Sequence, residues 1–253
     1  MKRSFEVAVS LEIHYVFGAL LIFHTLGNAM QRHFVQELEM LKTNIIKMGS
    51  LAEQAIAEAI RALLERRKDV AHQVLAQDQQ INSFEITIDD QVVDLLALQQ
   101  PVATDLRFIL AASKINNDLE RIGDHAVNIA ESAIQFTDLP EVEPVVDIPQ
   151  MAQITKGMLR DAIDGFIHTN ATICRAVLRN DDIIDDLNKK VVRELVACMR
   201  QSPGTIEQSL ELIRVSRNLE RVADLATNIA EEVIFMAEAR VVKHHLGEQS
   251  TGS

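Results

Sequence analysis

An all-α fold, two tandem three-helix bundles related by internal duplication, is the architecture this sequence predicts. Three observations carry it. A long apolar seam runs at helical spacing from Phe34, through Leu38, Leu41, Ile45, Met48, Ala52, Ala55 and Ala59 to Leu63. Turn formers and aromatics are scarce: five Pro, nine Gly, one Tyr and no Trp in 253 residues, too few for a fold of many short strands. Finally, one phrase is written twice. "LERIGDHAVNIAE" runs from Leu119 to Glu131 and "LERVADLATNIAE" from Leu219 to Glu231, matching at nine of thirteen positions.

The first thirty residues stand apart. "YVFGALLIFHTLG" is apolar from Tyr15, yet it is only about a dozen residues long and too short to span a bilayer. Lys2 and Arg3 before it fit a signal peptide, but Glu6, Glu12 and His14 spoil that pattern. Residues 1–30 are therefore expected to form a disordered or loosely helical extension.

The first repeat is expected over residues 31–137. Its first helix follows the Phe34–Leu63 seam and stops at the charged turn "ERRKD". Its second runs from about Asp69 to Gln99, with Ile81, Phe84, Ile88, Val92 and Leu95 inward. Pro101 ends that helix, because proline disfavours helix in the residue before it, and suits the first turn of the third. "DLPEVEPVVDIP" holds three of the five prolines and no helical period, so 138–148 reads as a linker. The second repeat, 149–246, repeats the plan. A helix is expected to Arg179, the next from "NDD" at Asn180 to Gln201, and a last one capped by Ser202 and opened by Pro203. The tail 247–253 is expected to fray.

On a helical wheel the repeated phrase divides cleanly. Leu119, Ile122, Ala126, Ile129 and Ala133 fall on one side; Glu120, Asp124, Asn128 and Glu131 fall nearly opposite. The second copy agrees, with Leu219, Val222, Ala226, Ile229 and Val233 inward and Glu220, Asp224, Asn228 and Glu231 outward. Core packing does not require identity on an outward face. Acids four apart also repel on a helix, by roughly a few tenths of a kcal/mol. A cation between them reverses that sign, and carboxylate and amide oxygens are hard ligands suited to Mg, Ca, Mn or iron.

A second oxygen-bearing pair, four residues apart, sits in the middle helix of each repeat: Asp78 with Asn82, and Asp181 with Asp185. Folding the first hairpin at Gln100–Pro101 sets Asp78 level with Gly123 and Asn82 with Leu119. Folding the second at Ser202–Pro203 sets Asp181 level with Asp224 and Asp185 with Glu220. Candidate metal ligands are thus Glu120, Asp124, Asp78 and Asn82 in one repeat and Glu220, Asp224, Asp181 and Asp185 in the other, with Asn128 and Asn228 as outer candidates. The bland alternative is that these acids are solvated, with Arg121 bridging Asp124 and Arg221 bridging Asp224. Glu85 and Asp89 fall about two turns off level, and His125, matched by Leu225, reads as solvated.

Net charge −12 disfavours nucleic acid as a partner. Cys174 and Cys198 have no motif spacing and are expected as reduced core thiols. A di-iron carboxylate enzyme needs inward Glu-x-x-His pairs, and none occurs. No phosphate-binding loop, nucleophile elbow or dinucleotide fingerprint is present either. The chain is therefore expected not to be an enzyme.

"LERIGDHAVNIA" and "LERVADLATNIA", each with an upstream Asp-x-x-Ile-Asn/Asp, and "QQPVATDLR" at Gln99–Arg107 resemble the PhoU family of phosphate-specific transport accessory proteins. The resemblance covers roughly residues 33–243. It implies two tandem three-helix bundles and a surface metal cluster on each repeat, iron or zinc, with Mg or Mn left open by the donor chemistry. It implies a negative regulator of the phosphate-starvation response, cytoplasmic and peripheral to inner-membrane complexes, without membrane insertion. The partners implied are the ATPase of the phosphate ABC transporter and a phosphate-sensing histidine kinase, and a homodimer is expected. Asn82 departs from the acidic pattern, which leaves the first site with less negative charge. A metal-free interaction module and a carboxylate-bridged metalloenzyme remain the alternatives.

Overall fold

The computed structural model describes residues 2–139 and 147–239, with side chains from residue 32 onward. Within these bounds the chain folds into six α-helices and no strand. They are α1 (Lys2–Leu64), α2 (Lys68–Gln99), α3 (Ala103–Asp138), α4 (Asp147–His168), α5 (Ala171–Gln201) and α6 (Ile206–Glu238). The described residues fall into two compact units, those up to Met40 forming one and those from Leu41 the other. The N-terminal segment expected as a loose extension is helical backbone from Lys2. The expected tail lies outside the described residues.

The second unit buries what the periodicity assigns. Leu41, Ile45, Met48, Ala52, Ala59 and Leu63 line α1's inner face, and Ile81, Ile88, Val92 and Leu95 that of α2. All ten inward positions of the repeated phrase are buried. Each fully buried Leu or Ile contributes about 1.5–3 kcal/mol. The packing order is α2 on α3, α3 on α6 and α6 on α5, with α4 across α5 and α6. The two copies of the motif helix therefore lie side by side at the centre. Helix α1 touches both repeats: Asn44 donates to Gln91 of α2 at 3.1 Å, and a side chain at Gly49 would meet Ile163 of α4.

The turn after α1 places Arg66 at φ 52°, and its guanidinium bonds the carbonyls of Phe136 (3.0 Å) and Leu139 while lying over the Phe136 ring. A charged turn thus closes the end of α3, where a helix has carbonyls to spare. Pro101 lies in the turn itself, and α3 begins two residues later. Between α3 and α4 the chain leaves the described residues at 140–146.

The fourth helix does not run to Arg179 as expected. It stops at His168, and α5 begins at Ala171. Asn170 causes the break: its side chain accepts from the backbone of Thr172 (3.0 Å) and Ile173 (3.3 Å), which makes it a helix cap. Thr169 takes φ 49° to reverse the chain. Gly165 permits the close return, since a Cβ there would overlap the Cys174 sulfur. Asn180 is consequently an interior residue of α5. Ser202 does not cap with its side chain; Pro203–Thr205 form a short 3-10 turn before α6. Cys174 is buried and its thiol pushed up to about 12 by desolvation, whereas Cys198 is only half-buried beside Thr205.

Candidate functional site

In the first repeat, α2 and α3 run antiparallel and bring Asp78 under Gly123, as the hairpin count requires. Asp78 Oδ1 lies 3.4 Å from where a Cβ on Gly123 would stand. The Asn82 amide donates to Asp78 Oδ2 at 3.0 Å. Asp78 Oδ1 is buried with no hydrogen-bond partner. Glu120 sits half-buried on α3, and its carboxyl is pushed above the usual range, first by desolvation and then by the charges of Asp124, Glu85 and Asp78. The cluster is thus Asp78, Asn82, Glu120 and Asp124, with Glu85 added. Glu85, expected about two turns off level, still adds its charge to the field at Glu120. Asp89 is also engaged: the buried Asn116 donates to Asp89 Oδ1 at 2.9 Å and to the Glu85 carbonyl at 3.0 Å.

In the second repeat, Asp181, Asp185, Glu220 and Asp224 line one cleft of about 470 Å³. Asp182 and Asn228 stand beside them. The Glu220 carboxyl is raised by desolvation and by Asp224, Asp185 and Asp181, and held back by Arg221. Arg221 contacts Asp224 at 3.4 Å, the bridge foreseen for this copy. In the first copy the arginine turns the other way, and Arg121 approaches Asp118 at 3.8 Å instead of Asp124.

Helix α3 packs against α6, which draws residues of the first repeat towards the second. Arg121 and His125 of the first repeat reach the cleft of the second. His125 Nδ1 lies 2.8 Å from Asn218 Oδ1, so it is an inter-repeat contact and not a solvated histidine. Asp118, to which no motif in the sequence points, is largely buried between the same helices. Desolvation pushes it up to about 6 against the opposing pull of Arg121 and a hydrogen bond from Asn228, the amide proposed as an outer ligand. Asn128 is half-buried on α3. Lys114 reaches Glu232 across this interface at 2.7 Å. These pairings depend on how two helices a hundred residues apart cross, which no short-range spacing encodes.

Chemically, both sites offer oxygen donors and concentrate negative charge. Glutamates with raised proton affinity and the partnerless Asp78 oxygen are what a cation would relieve, so the residues suit a hard metal ion by donor type. Among the described residues, however, no three His, Cys, Asp or Glu side chains already stand close enough to share one ion, so binding requires the side chains to close up. A bound ion would supply charge neutralisation and a bridge between α2 and α3 or between α5 and α6.

Comparison with known proteins places this geometry. A family model, the PhoU domain, matches twice, at residues 45–133 and 148–233. The phosphate-specific transport system accessory protein PhoU homolog of Pseudomonas putida is 38% identical over 87% of this chain and 86% of its own. The Aquifex aeolicus homolog is 38% identical over 85% of this chain and 97% of its own. Among solved structures, PhoU from Pseudomonas aeruginosa superposes with a TM-score of 0.80 at 37% identity, covering 82% of this chain and all of that one. The phosphate transport system regulatory protein PhoU from Streptococcus pneumoniae gives 0.77 at 27% identity over 83% of this chain and 99% of that one. Two domain matches in tandem, each carrying its own carboxylate cluster between the second and third helices, show that this chain belongs to the PhoU family of phosphate transport accessory proteins.

Proposed function

We propose that this protein is a non-enzymatic adaptor that represses the phosphate-starvation response and modulates phosphate uptake. It works between the ATPase of a phosphate ABC transporter and a sensor histidine kinase, in the cytoplasm at the membrane surface. The observation that carries the reading is the pair of acidic clusters, repeated on both halves of a chain whose relatives are named as accessory proteins of phosphate transport. No helix among the described residues is long and apolar enough to cross a membrane.

In this reading Glu120, Asp124, Asp78 and Asn82 hold a cation in the first repeat, and Glu220, Asp224, Asp181 and Asp185 hold one in the second. An all-oxygen set favours Mg, Mn or iron; zinc prefers nitrogen or sulfur, which only His125 offers nearby. A metal-free docking surface is the second reading, favoured by the Arg221–Asp224 and Lys189–Asp185 contacts that already neutralise part of the second cleft. Deleting the gene at high phosphate tests the regulatory role. Phosphate-starvation genes should switch on in the deletion strain and be silenced by the wild-type gene. Genes that stay silent without the protein would refute repression.

A further inference from the structure

The cleft of the second repeat holds one side chain that acid-pair duplication does not account for. His125 belongs to α3 of the first repeat, yet it stands half-buried in a cleft lined by Asp181, Asp182, Asp185, Glu220 and Asp224. Its ring is oriented by a chain of hydrogen bonds. The Asn218 amide donates from Nδ2 to the Arg214 carbonyl at 2.8 Å, which turns its Oδ1 the other way. His125 Nδ1 lies 2.8 Å from that Oδ1. An amide oxygen only accepts, so Nδ1 carries the hydrogen, and the lone pair of the neutral ring sits on Nε2. Among the described residues the ring makes its hydrogen bond through Nδ1, which leaves Nε2 as the donor atom. Histidines that bind metals are held in this way: one ring nitrogen donates to a carbonyl or carboxylate, and the other is presented to the ion.

The arrangement is one-sided. The second copy of the phrase has Leu225 where the first has His125, and Leu225 is buried with no donor to offer. The groups gathered at the first cluster, Asp78, Asn82, Glu85, Glu120 and Asp124, bring oxygen as their only ligand atom. Imidazole suits zinc, iron, copper and nickel, whereas carboxylate sets suit magnesium, calcium and manganese.

On the reading that this cleft holds a cation, we propose that His125 is a ligand contributed by the first repeat to the site of the second, which thereby prefers zinc-like ions while the first cluster prefers hard ones. An ion shared by His125 Nε2 and the acids of α5 and α6 ties α3 to both helices and so joins the two repeats. Asn218 is the positioning residue, since it fixes the tautomer of the ring from α6. Arg121 and Arg221 line the same cleft, but five carboxylates outnumber them. Their side chains are 58% and 63% exposed, so both are able to swing into water as an ion enters.

Zinc and manganese affinities of the full chain, measured by competition with a chromophoric chelator, test this. Glu120→Ala with Asp124→Ala serves as the background, so that only the second cleft is counted. In that background His125→Leu, which copies the residue of the second repeat, should weaken zinc about a hundredfold and manganese less than about threefold. Asn218→Ala should weaken zinc about tenfold with His125 in place. Long-range proton–nitrogen spectra of the unsubstituted, metal-free chain at mildly alkaline pH should show the His125 hydrogen on Nδ1, and zinc should shift the Nε2 resonance. These spectra stand whether or not a variant folds. A hydrogen on Nε2, an Nε2 resonance that zinc leaves in place, a zinc affinity unchanged by His125→Leu, or zinc and manganese affinities that fall together would overturn the proposal and leave the cation site standing. A background protein that binds neither metal would overturn the cation reading of this cleft and the proposal with it.

Discussion

The two acidic clusters occupy the same place on duplicated scaffolds, yet their charge is managed differently. The first is relieved from within: Asn82 stands where the second repeat has Asp185 and donates to Asp78, and Arg121 of its own helix partly offsets the charge at Glu120. The second keeps all four carboxylates and borrows positive charge, from Arg221 in its own helix and from Arg121 across the interface. The comparison shows that the repeat preserves an oxygen-rich surface while letting each half reach charge balance by its own route. Repulsion between acids four apart has to be relieved in either case, by an amide, an arginine or a bound ion.

The largest effects should show where the repeats agree. Leu119→Ala and Leu219→Ala each empty a fully buried site and should each cost about 3 kcal/mol in chemical denaturation. A difference between them beyond about 2 kcal/mol would break the equivalence of the two cores. Next is Asp118, whose counterpart is Asn218 and which therefore marks one repeat only. Its folded-state carboxyl titrates near 6, above the ordinary 3.8, so the native state binds the proton more tightly. Stability is lost as pH rises through that window, and the cost persists at neutral pH. Asp118→Asn should raise neutral-pH stability by about 1–2 kcal/mol and flatten the profile between those two values, measured by thermal unfolding against pH.

Asn82→Asp sharpens the comparison by giving the first cluster the second's charge. Affinity for manganese, by calorimetry, should rise about tenfold, and the metal-free protein should lose roughly a few tenths of a kcal/mol. Smallest is Arg221→Ala. Stability should change by less than about 0.5 kcal/mol because the pair is exposed. The carboxyl of Glu220, which Arg221 holds back, should move further up when followed by NMR titration.

Much of this was legible in the sequence, for identifiable reasons. Leu119, Ile122 and Ala126, with their second-repeat equivalents, follow the helical period and are buried as it requires. The Asp78–Gly123 alignment follows from a hairpin whose turn is marked by Pro101. What escaped was of two kinds. The α4–α5 break rests on one asparagine, Asn170, whose capping role competes with the more conspicuous "NDD" ten residues on. The roles of His125 and Asp118 arise from the crossing of α3 with α6, which local spacing cannot report because each partner lies about a hundred residues away.

The most direct test of the duplicated acidic surface as a cation site is metal content per chain in three proteins: wild type, Glu120→Ala with Asp124→Ala, and Glu220→Ala with Asp224→Ala. Each double variant should lose the ions of its own repeat and keep those of the other. Unchanged content in both variants would contradict the assignment of either cluster.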